Sequence, residues 1–205
     1  MYTLFMAKGT SALAAHILLE EIGADYETRM LSIPDQDHQG PEYLAINPRG
    51  RVPALQTPQG VLTENSAILA YLAQVHPEAG LAPADPFAFA RAQSFCLYLA
   101  ATMHPAFAHK LRGARFADDP EAIEAMKQKV PENMAECAQL IEDHLLKGPW
   151  ALGEEFSYCD PYLFLVHRWL GANGINTADY PKIHAHMLAM KERPSVKTVM
   201  AQHGL

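Results

Sequence analysis

The sequence predicts two domains of different class, a small α/β layer followed by an all-helical domain. The first part alternates short β-prone runs with segments of helical periodicity, beginning with Tyr2–Met6 and Ser11–Ile22. A stretch with three prolines and a glycine, His76–Pro86, then interrupts the chain. Beyond it no segment has the pattern of a strand. The change in pattern across this stretch indicates the two-domain organisation.

The first three elements follow from local patterns. Tyr2–Met6 predicts a buried strand, because a short apolar run stops at Ala7-Lys8-Gly9. In Ser11–Ile22 the apolar residues recur at helical spacing, and Gly23 is typical of a helix end. Asp25–Leu31 predicts a second strand. A strand, helix, strand order favours parallel pairing of the two strands.

The remainder of the first domain is predicted to be a loop, a hairpin and a helix. Ser32–Gly40 is polar and is interpreted as a loop. Ala54–Thr57 and Val61–Thr63 flank a turn of Pro, Gln and Gly, which predicts a hairpin. The pattern becomes helical again from Glu64. The layer should therefore contain about four strands.

Helical periodicity dominates the second part. Five segments are predicted to be helical: Phe87–Arg112, Pro120–Leu146, Pro161–Leu170, Ile183–Lys191 and Val196–Gln202. The expected boundaries are residues 1–77 for the first domain, 78–86 for the linker and 87–205 for the helical domain.

Composition excludes several classes of function. The chain has 205 residues and a formal net charge of −7, which argues against nucleic acid as the main partner because phosphate binding requires Lys and Arg. Its three cysteines are widely spaced and have no metal-binding pattern, which favours a reducing cytoplasmic location. No signal peptide and no apolar run of membrane-spanning length are apparent. We therefore expect no membrane partner and no metal.

Three local motifs stand out. Pro53 precedes a short strand, where either a cis peptide bond or an ordinary trans proline on an edge strand would fit. Glu64 and Asn65 lie at a predicted helix start, where Asn65 could cap the helix or help to bind a carboxylate. Ser157 and Asp160 form a variant capping box before a buried helix, and we interpret this motif as structural.

Two adjacent hydroxyl groups, of Thr10 and Ser11, lie where the first strand gives way to the first helix, in "KGTSALAAH". Helix capping explains such residues, because Ser and Thr commonly satisfy free amides at helix starts. Alternatively, one hydroxyl group caps and the other faces a reacting atom.

The order of these motifs resembles the cytosolic glutathione transferases over nearly the whole chain. The resemblance rests on five segments: "GTSALAAHILLEEIG", "NPRGRVPAL", "LTENSAILAYL", "FSYCDPYLF" and "MKERPSV". Among the classes of this family, the sequence is most similar to the bacterial beta class. It implies an N-terminal thioredoxin-like domain, an all-α C-terminal domain and a homodimer. Glutathione is implied as co-substrate, with no tightly bound cofactor.

The resemblance also implies a binding site for glutathione in the first domain. Pro53 matches the family's cis-proline, and the backbone of Val52 would pair with the cysteinyl backbone of glutathione. Glu64 and Asn65 match the pair that holds its γ-glutamyl end, although the family more often has Ser or Gly at residue 65. His38 is similar to a histidine that reaches the glycine carboxylate, or it is a solvated loop residue. Arg51, beside Val52, would help to neutralise the tripeptide or would face water.

Ser11 departs from the beta-class pattern, in which a cysteine usually occupies this position. A serine cannot form a mixed disulfide with glutathione, but it can donate a hydrogen bond to the glutathione sulfur, as in the similar delta, theta and zeta classes. The thiolate is the nucleophile, and a donor lowers the pKa of a thiol by stabilising its charged form. Ser11 is thus the implied catalytic residue, with Thr10 as the alternative donor.

The second substrate is expected to bind to the helical domain. His104 matches a beta-class histidine that lines this pocket, and Trp169 matches a pocket tryptophan. Phe107 and Arg112 would contribute to the pocket, although Phe107 and Trp169 could instead fill the core and Arg112 could be a helix-end cation.

The predicted function is conjugation of the glutathione thiolate to small electrophiles. One alternative keeps the fold and the co-substrate but catalyses isomerisation or peroxide reduction. Another is a non-catalytic module that binds glutathione or apolar ligands, since a fold does not fix a function.

Overall fold

A computed structural model describes all residues from Met1 to Leu205. Inter-residue contacts divide the chain into two compact units, one formed by Met1–Ala84 with Met190–Leu205 and one formed by Asp85–Ala189. The expected class is confirmed: the first unit contains a four-stranded mixed sheet with helices, and the second is helical. No helix in the structure has the length and apolar character needed to cross a membrane.

The sheet of the first unit has the strand order β2-β1-β3-β4. Its strands are β1 (Tyr2–Met6), β2 (Tyr26–Met30), β3 (Ala54–Thr57) and β4 (Gly60–Thr63). β1 and β2 are parallel, as the strand, helix, strand order predicts, and both β1/β3 and the β3/β4 hairpin are antiparallel. Leu4 of β1 lies opposite Leu55 of β3, and both side chains are fully buried.

Four helices complete the first unit. They are α1 (Ala12–Glu21), α2 (Pro41–Ile46), α3 (Asn65–Val75) and α9 (Pro194–His203). The first eight residues of α1 are all buried, because this helix contacts β1, α3 and α9. The sequence analysis missed α2, a six-residue helix with a proline in its first turn and only Tyr43 buried.

The second unit contains the helices α4 to α7 and most of α8. Their bounds are α4 (Pro86–Tyr98), α5 (His104–Arg112), α6 (Pro120–Leu140), α7 (Asp160–Ala172) and α8 (Pro181–Glu192). The single helix predicted for Phe87–Arg112 is divided by a π-helical turn at Leu99–Met103. Pro105 follows this turn and has no amide hydrogen for a regular helical bond, which explains the change in winding.

The C-terminal boundary differs from the prediction that residues 87–205 form one domain, because Met190–Leu205 belongs to the first unit. Polar contacts to α1 account for the difference. The guanidinium group of Arg193 forms an ion pair with Glu21, and the Ser195 hydroxyl donates to the same carboxylate at 2.5 Å. Helical periodicity alone could not reveal this, because it identifies a helix but not the unit against which the helix packs.

Candidate functional site

Two side-chain hydrogen bonds to the carbonyl oxygen of Arg51 stabilise the backbone conformation of the loop before β3. The Tyr43 hydroxyl donates to this oxygen at 2.6 Å and the side-chain amide of Asn47 donates at 2.7 Å. Burial raises the pKa of Tyr43, so its hydroxyl group stays protonated as a donor. Gly50 has a φ of +56°, and a Cβ atom there would lie 2.9 Å from the backbone carbonyl oxygen of His38. A glycine is therefore required at this turn.

The next peptide bond, Val52–Pro53, is cis. This matches the geometry that the resemblance implies for Pro53, which is buried, whereas Val52 is half-buried. The carbonyl oxygen of Val52 accepts a hydrogen bond from Oγ of Ser11 at 3.2 Å. The first turn of α1 and the cis-proline loop are therefore in direct contact.

Neither hydroxyl group of the β1–α1 turn caps the helix. Thr10 donates to the carbonyl oxygen of Ala7 at 2.8 Å. Ser11 is half-buried at the start of α1, and its side chain makes no capping hydrogen bond. The capping explanation does not describe the bonds that these side chains make. Of the two, Ser11 is the one that contacts the cis-proline loop.

The start of α3 also contacts Ser11, through the side chain of Asn65. Nδ2 of Asn65 donates to the backbone carbonyl oxygen of Ser11 at 2.7 Å, while its Oδ1 is buried and has no hydrogen-bond partner. Glu64 has a φ of +69°, which is uncommon for a residue other than glycine, and its exposed carboxylate forms an ion pair with Arg49. Such backbone conformations concentrate at functional sites.

The structure does not connect His38 and Arg51 to this cluster through their side chains. His38 lies in the 3₁₀ turn at Asp37–Gln39, is half-buried, and has an Nδ1 atom that is buried without a hydrogen-bond partner. The side chain of Arg51 is exposed, and only its carbonyl oxygen is bonded to the surrounding loop. Their roles in binding stay predictions.

The first unit thus combines three kinds of group in one small region. These are a half-buried hydroxyl (Ser11), a cis-proline loop (Val52 and Pro53), and the start of an eleven-residue helix (Asn65). A helix start favours a carboxylate, since its free amides and dipole are positive. A hydroxyl group can donate one hydrogen bond to an anion. The arrangement suits a small peptide-like anion.

Sequence reasoning missed the supporting residues Tyr43 and Asn47. Their signal was present in "GPEYLAINP", because an Asn before a Pro commonly bonds to nearby backbone in a turn. Asn65 was recognised as a candidate, but its contact with Ser11 spans 54 positions of sequence and could not be read from local patterns.

In the helical unit, three of the four predicted pocket residues form an aromatic cluster. Phe107 is stacked on Trp169 with ring centroids 5.0 Å apart and planes at 10°, and His104 lies 4.5 Å from the same ring. His104 and Phe107 are one turn apart on α5, and Trp169 is on α7. Arg112, the fourth residue, is exposed in the last turn of α5. The cluster packs the half-buried rings of His104 and Phe107 against the buried ring of Trp169, in the tilted and stacked geometries that aromatic side chains favour.

The capping motif that begins α7, formed by Ser157 and Asp160, is buried. The carboxylate of Asp160 accepts from the backbone amides of Ala151 and Ser157, both at 2.7 Å, and from the Ser157 hydroxyl at 2.9 Å. It also contacts Nε2 of His186 at 2.8 Å. These contacts support the interpretation of the motif as structural.

Comparisons with known proteins agree over the whole chain. Residues 1–74 match the family model for the glutathione S-transferase N-terminal domain, and residues 106–203 match the model for the C-terminal domain. The chain is 33% identical over 205 residues to the glutathione S-transferase GstA of Escherichia coli O157:H7, with 98% of each protein covered.

Two solved structures have the same fold. A glutathione transferase homologue from Sulfitobacter with bound glutathione is 46% identical, covers 100% of this chain and 99% of its own, and superposes with a TM-score of 0.96. A beta-class glutathione S-transferase from Sphingomonas chungbukensis is 32% identical, covers 99% of each chain and has a TM-score of 0.86.

Proposed function

This chain belongs to the glutathione transferase family, and on that premise we propose that it joins the thiolate of glutathione to small electrophiles, with Ser11 as the hydrogen-bond donor to the sulfur. Glutathione is the co-substrate, and no other cofactor is required. The proposal rests on one observation, the contact of 3.2 Å between Oγ of Ser11 and the carbonyl oxygen of Val52. Val52 is the residue whose backbone would pair with the cysteinyl residue of glutathione.

The Val52 carbonyl oxygen and the Ser11 hydroxyl would each keep a hydrogen-bond partner when glutathione binds. In this structure the Ser11 hydroxyl donates to the Val52 carbonyl oxygen. Pairing of Val52 with the tripeptide would supply the cysteinyl N–H as a replacement donor to that oxygen. The Ser11 hydroxyl is then available, and rotation about its Cα–Cβ bond turns it to the cysteinyl sulfur. Thr10, whose hydroxyl group already donates to Ala7 at 2.8 Å, is the poorer candidate.

Stabilisation of the thiolate is the energetic contribution of this donor. An ordinary cysteine thiol has a pKa of ~8.5, so only a few per cent is ionised at pH 7. Lowering that pKa by about two units requires ~2.7 kcal/mol of preferential stabilisation of the thiolate. A hydrogen bond to a charged group contributes ~1.5–3 kcal/mol, and the start of a helix adds ~0.3–1 kcal/mol. Ser11 at the start of α1 provides both contributions.

The chemical step needs no other reactant. The thiol proton leaves to solvent, and the sulfur lone pair attacks an electrophilic carbon to form a C–S bond. With an aryl or alkyl halide the carbon–halogen bond breaks and halide departs with its electron pair. With an epoxide a C–O bond breaks and the alkoxide takes a proton from water. Ser11 donates a hydrogen bond throughout and never attacks.

The aromatic cluster of His104, Phe107 and Trp169 is our candidate surface for the electrophile. Its support is the position of the half-buried His104 and Phe107 rings on one face of α5, packed against the buried ring of Trp169. Arg112, exposed in the last turn of the same helix as Phe107, is retained as a further candidate. For glutathione, the candidates beyond Ser11 are Thr10, His38, Arg51, Val52, Pro53, Glu64 and Asn65.

We also propose a homodimer located in the cytoplasm. The three cysteines are buried and form no disulfide bond, which is usual for a reducing compartment. Light scattering coupled to size-exclusion chromatography measures the oligomeric state directly. A monomer at micromolar concentration would contradict the proposed homodimer.

The decisive experiment combines glutathione binding, thiol titration and turnover in the unmodified protein. Calorimetry should show binding of glutathione, and ultraviolet absorbance of the bound thiolate should titrate well below pH 8.5. A panel of aryl halides, alkyl halides and epoxides should yield thioether products. Binding with an unshifted thiol pKa and no product would instead favour a binding module. Isomerised or reduced products without thioether would favour the other enzymatic alternatives.

A further inference from the structure

Five groups joined by hydrogen bonds connect the β1–α1 turn, through His203 of the C-terminal helix, to the half-buried carboxylate of Glu20. The backbone amide of Gly9 donates to Nδ1 of His203 at 3.3 Å. Nε2 of His203 lies 3.0 Å from Nδ1 of His16, and Nε2 of His16 lies 3.1 Å from the Tyr26 hydroxyl. That hydroxyl donates to the carboxylate of Glu20 at 2.6 Å. Both histidine rings are almost completely buried.

These contacts determine where each proton lies. An amide can only donate, so Nδ1 of His203 is an acceptor and the ring carries its proton on Nε2. That proton is donated to Nδ1 of His16, which leaves the proton of His16 on Nε2, facing the oxygen of Tyr26. The Tyr26 hydroxyl donates its proton to Glu20, so every hydrogen bond in the series is donated in the same direction, from Gly9 towards Glu20. Burial and the neighbouring His203 lower the pKa of His16 from 6.5 to about 4, so the His16 ring is neutral at pH 7.

We propose that His203 is a positioning residue, which through the Gly9 amide fixes the turn that presents Thr10 and Ser11 to bound glutathione. The inference rests on the proposed function for its catalytic consequence, although the structural contact stands without it. Gly9 has a φ of +67°, a conformation that sets the direction in which the chain enters α1. Ser11 follows two residues later, so rotation of the Gly9 amide displaces its hydroxyl group.

The C-terminal helix is well anchored for this role. At its start, Arg193 and Ser195 bond to Glu21 at the end of α1, and at its end His203 bonds to Gly9 and His16. The two helices therefore run antiparallel and are joined at both ends. Gly204 follows with a φ of +61°, and a Cβ atom there would lie 2.9 Å from Nζ of Lys8. The end of the chain thus lies directly against the turn.

Two substitutions of His203 separate its two bonds. In His203→Asn the side-chain oxygen takes the place of Nδ1, so the acceptor for Gly9 is kept and the donor to His16 is lost. In His203→Gln the amide nitrogen takes the place of Nε2, so the donor to His16 is kept and the acceptor for Gly9 is lost. Ser195→Ala is the matched control, because it loosens the same helix at its other end.

Amide hydrogen exchange on the free protein tests the contact independently of glutathione. Loss of one hydrogen bond should raise exchange of the Gly9 amide in His203→Gln about 2- to 10-fold. His203→Asn should retain that protection although its midpoint of unfolding falls, because His16 is left with an unsatisfied buried acceptor. Ser195→Ala should lower the midpoint without changing exchange at Gly9. Equal exchange at Gly9 in both His203 variants would overturn the proposal.

Kinetics then test the catalytic consequence. His203→Gln should raise the pKa of bound glutathione and lower kcat by about 2- to 10-fold, with a smaller effect on KM for glutathione. His203→Asn and Ser195→Ala should keep the parental thiol pKa. An altered Gly9 exchange together with an unaltered thiol pKa would overturn the role of His203 in positioning Ser11. If the parent protein shows no thiolate of bound glutathione at all, the proposed function fails. The exchange experiment would still test the hydrogen bond between the Gly9 amide and His203.

Discussion

The side-chain amide of Asn65 lies 2.7 Å from the backbone carbonyl oxygen of Ser11 and joins the starts of two helices. Because the Ser11 hydroxyl in turn bonds to Val52, the start of α3, the start of α1 and the cis-proline loop form one connected unit. A displacement of any of the three moves the others. The candidate site is therefore expected to respond to substitutions that never touch glutathione.

Asn65→Ala removes the donor to Ser11 and leaves its carbonyl oxygen without that partner. We expect the free energy of unfolding to fall by about 1–2 kcal/mol, since loss of a buried hydrogen bond costs about that much. KM for glutathione should rise, because Asn65 is also at the predicted γ-glutamyl subsite. Urea denaturation and steady-state kinetics measure the two effects.

Glu64→Gln is the matched comparison for Asn65→Ala. Its carboxylate is exposed and forms an ion pair with Arg49, and exposed ion pairs contribute only about 0–1 kcal/mol. Stability should therefore change little while KM for glutathione rises. An Asn65→Ala protein as stable as Glu64→Gln would contradict the connected unit described above.

Ser11→Ala removes the proposed donor to the sulfur. A hydrogen bond to a charged group contributes ~1.5–3 kcal/mol, so kcat at neutral pH should fall by about 10- to 150-fold and the pKa of bound glutathione should rise. The dissociation constant for glutathione should change little, because the backbone of Val52 is retained. Thiolate absorbance, turnover and calorimetry provide the three measurements.

Thr10→Ala distinguishes the two adjacent hydroxyl groups. Its hydroxyl donates to Ala7, so we expect a loss of stability of about 1 kcal/mol with little effect on the thiol pKa. The assignment to Ser11 is wrong if Thr10→Ala raises the thiol pKa and Ser11→Ala leaves it unchanged.

The sequence was sufficient for those parts of the fold that depend on local pattern. The four strands, the parallel pairing of β1 with β2, the β3/β4 hairpin and the start of α3 near Glu64 follow from periodicity, turn residues and chain order. The antiparallel pairing of β1 with β3 was not predicted. The resemblance supplied the cis bond at Pro53, for which local sequence left two options. Contacts between distant residues had no comparable signal. Gly9 and His203 are separated by 194 positions, and nothing in either segment indicates the other.

Asp160→Asn tests the capping motif that begins α7. The carboxylate accepts from two backbone amides, a hydroxyl group and His186 in a fully buried place. An amide in its place has one acceptor atom fewer and carries no charge. Breaking a buried charged network costs about 3–5 kcal/mol, so a loss of that size is expected in chemical denaturation.

Ser157→Ala is the conservative partner of Asp160→Asn. It removes one hydroxyl donor at 2.9 Å and keeps the carboxylate and its backbone partners. The expected loss of stability is about 1 kcal/mol. Similar small losses in the two variants would show that the motif does not anchor the start of α7.

Phe107→Ala tests whether the aromatic cluster receives the electrophile. The stack on Trp169 has ring centroids 5.0 Å apart, and such aromatic pairs contribute about 0.5–1.5 kcal/mol beyond the burial of area. KM for an aryl electrophile should rise by about 2- to 10-fold, while KM for glutathione should stay at the parental value.

Leu111→Ala is its control, because Leu111 is on the same helix and is 82% exposed. Truncation there should leave both KM values unchanged. Circular dichroism of the two variants verifies that α5 is retained. If Phe107→Ala raised KM for glutathione instead, or if Leu111→Ala had the same effect on the electrophile, the cluster would not be the surface that selects the second substrate.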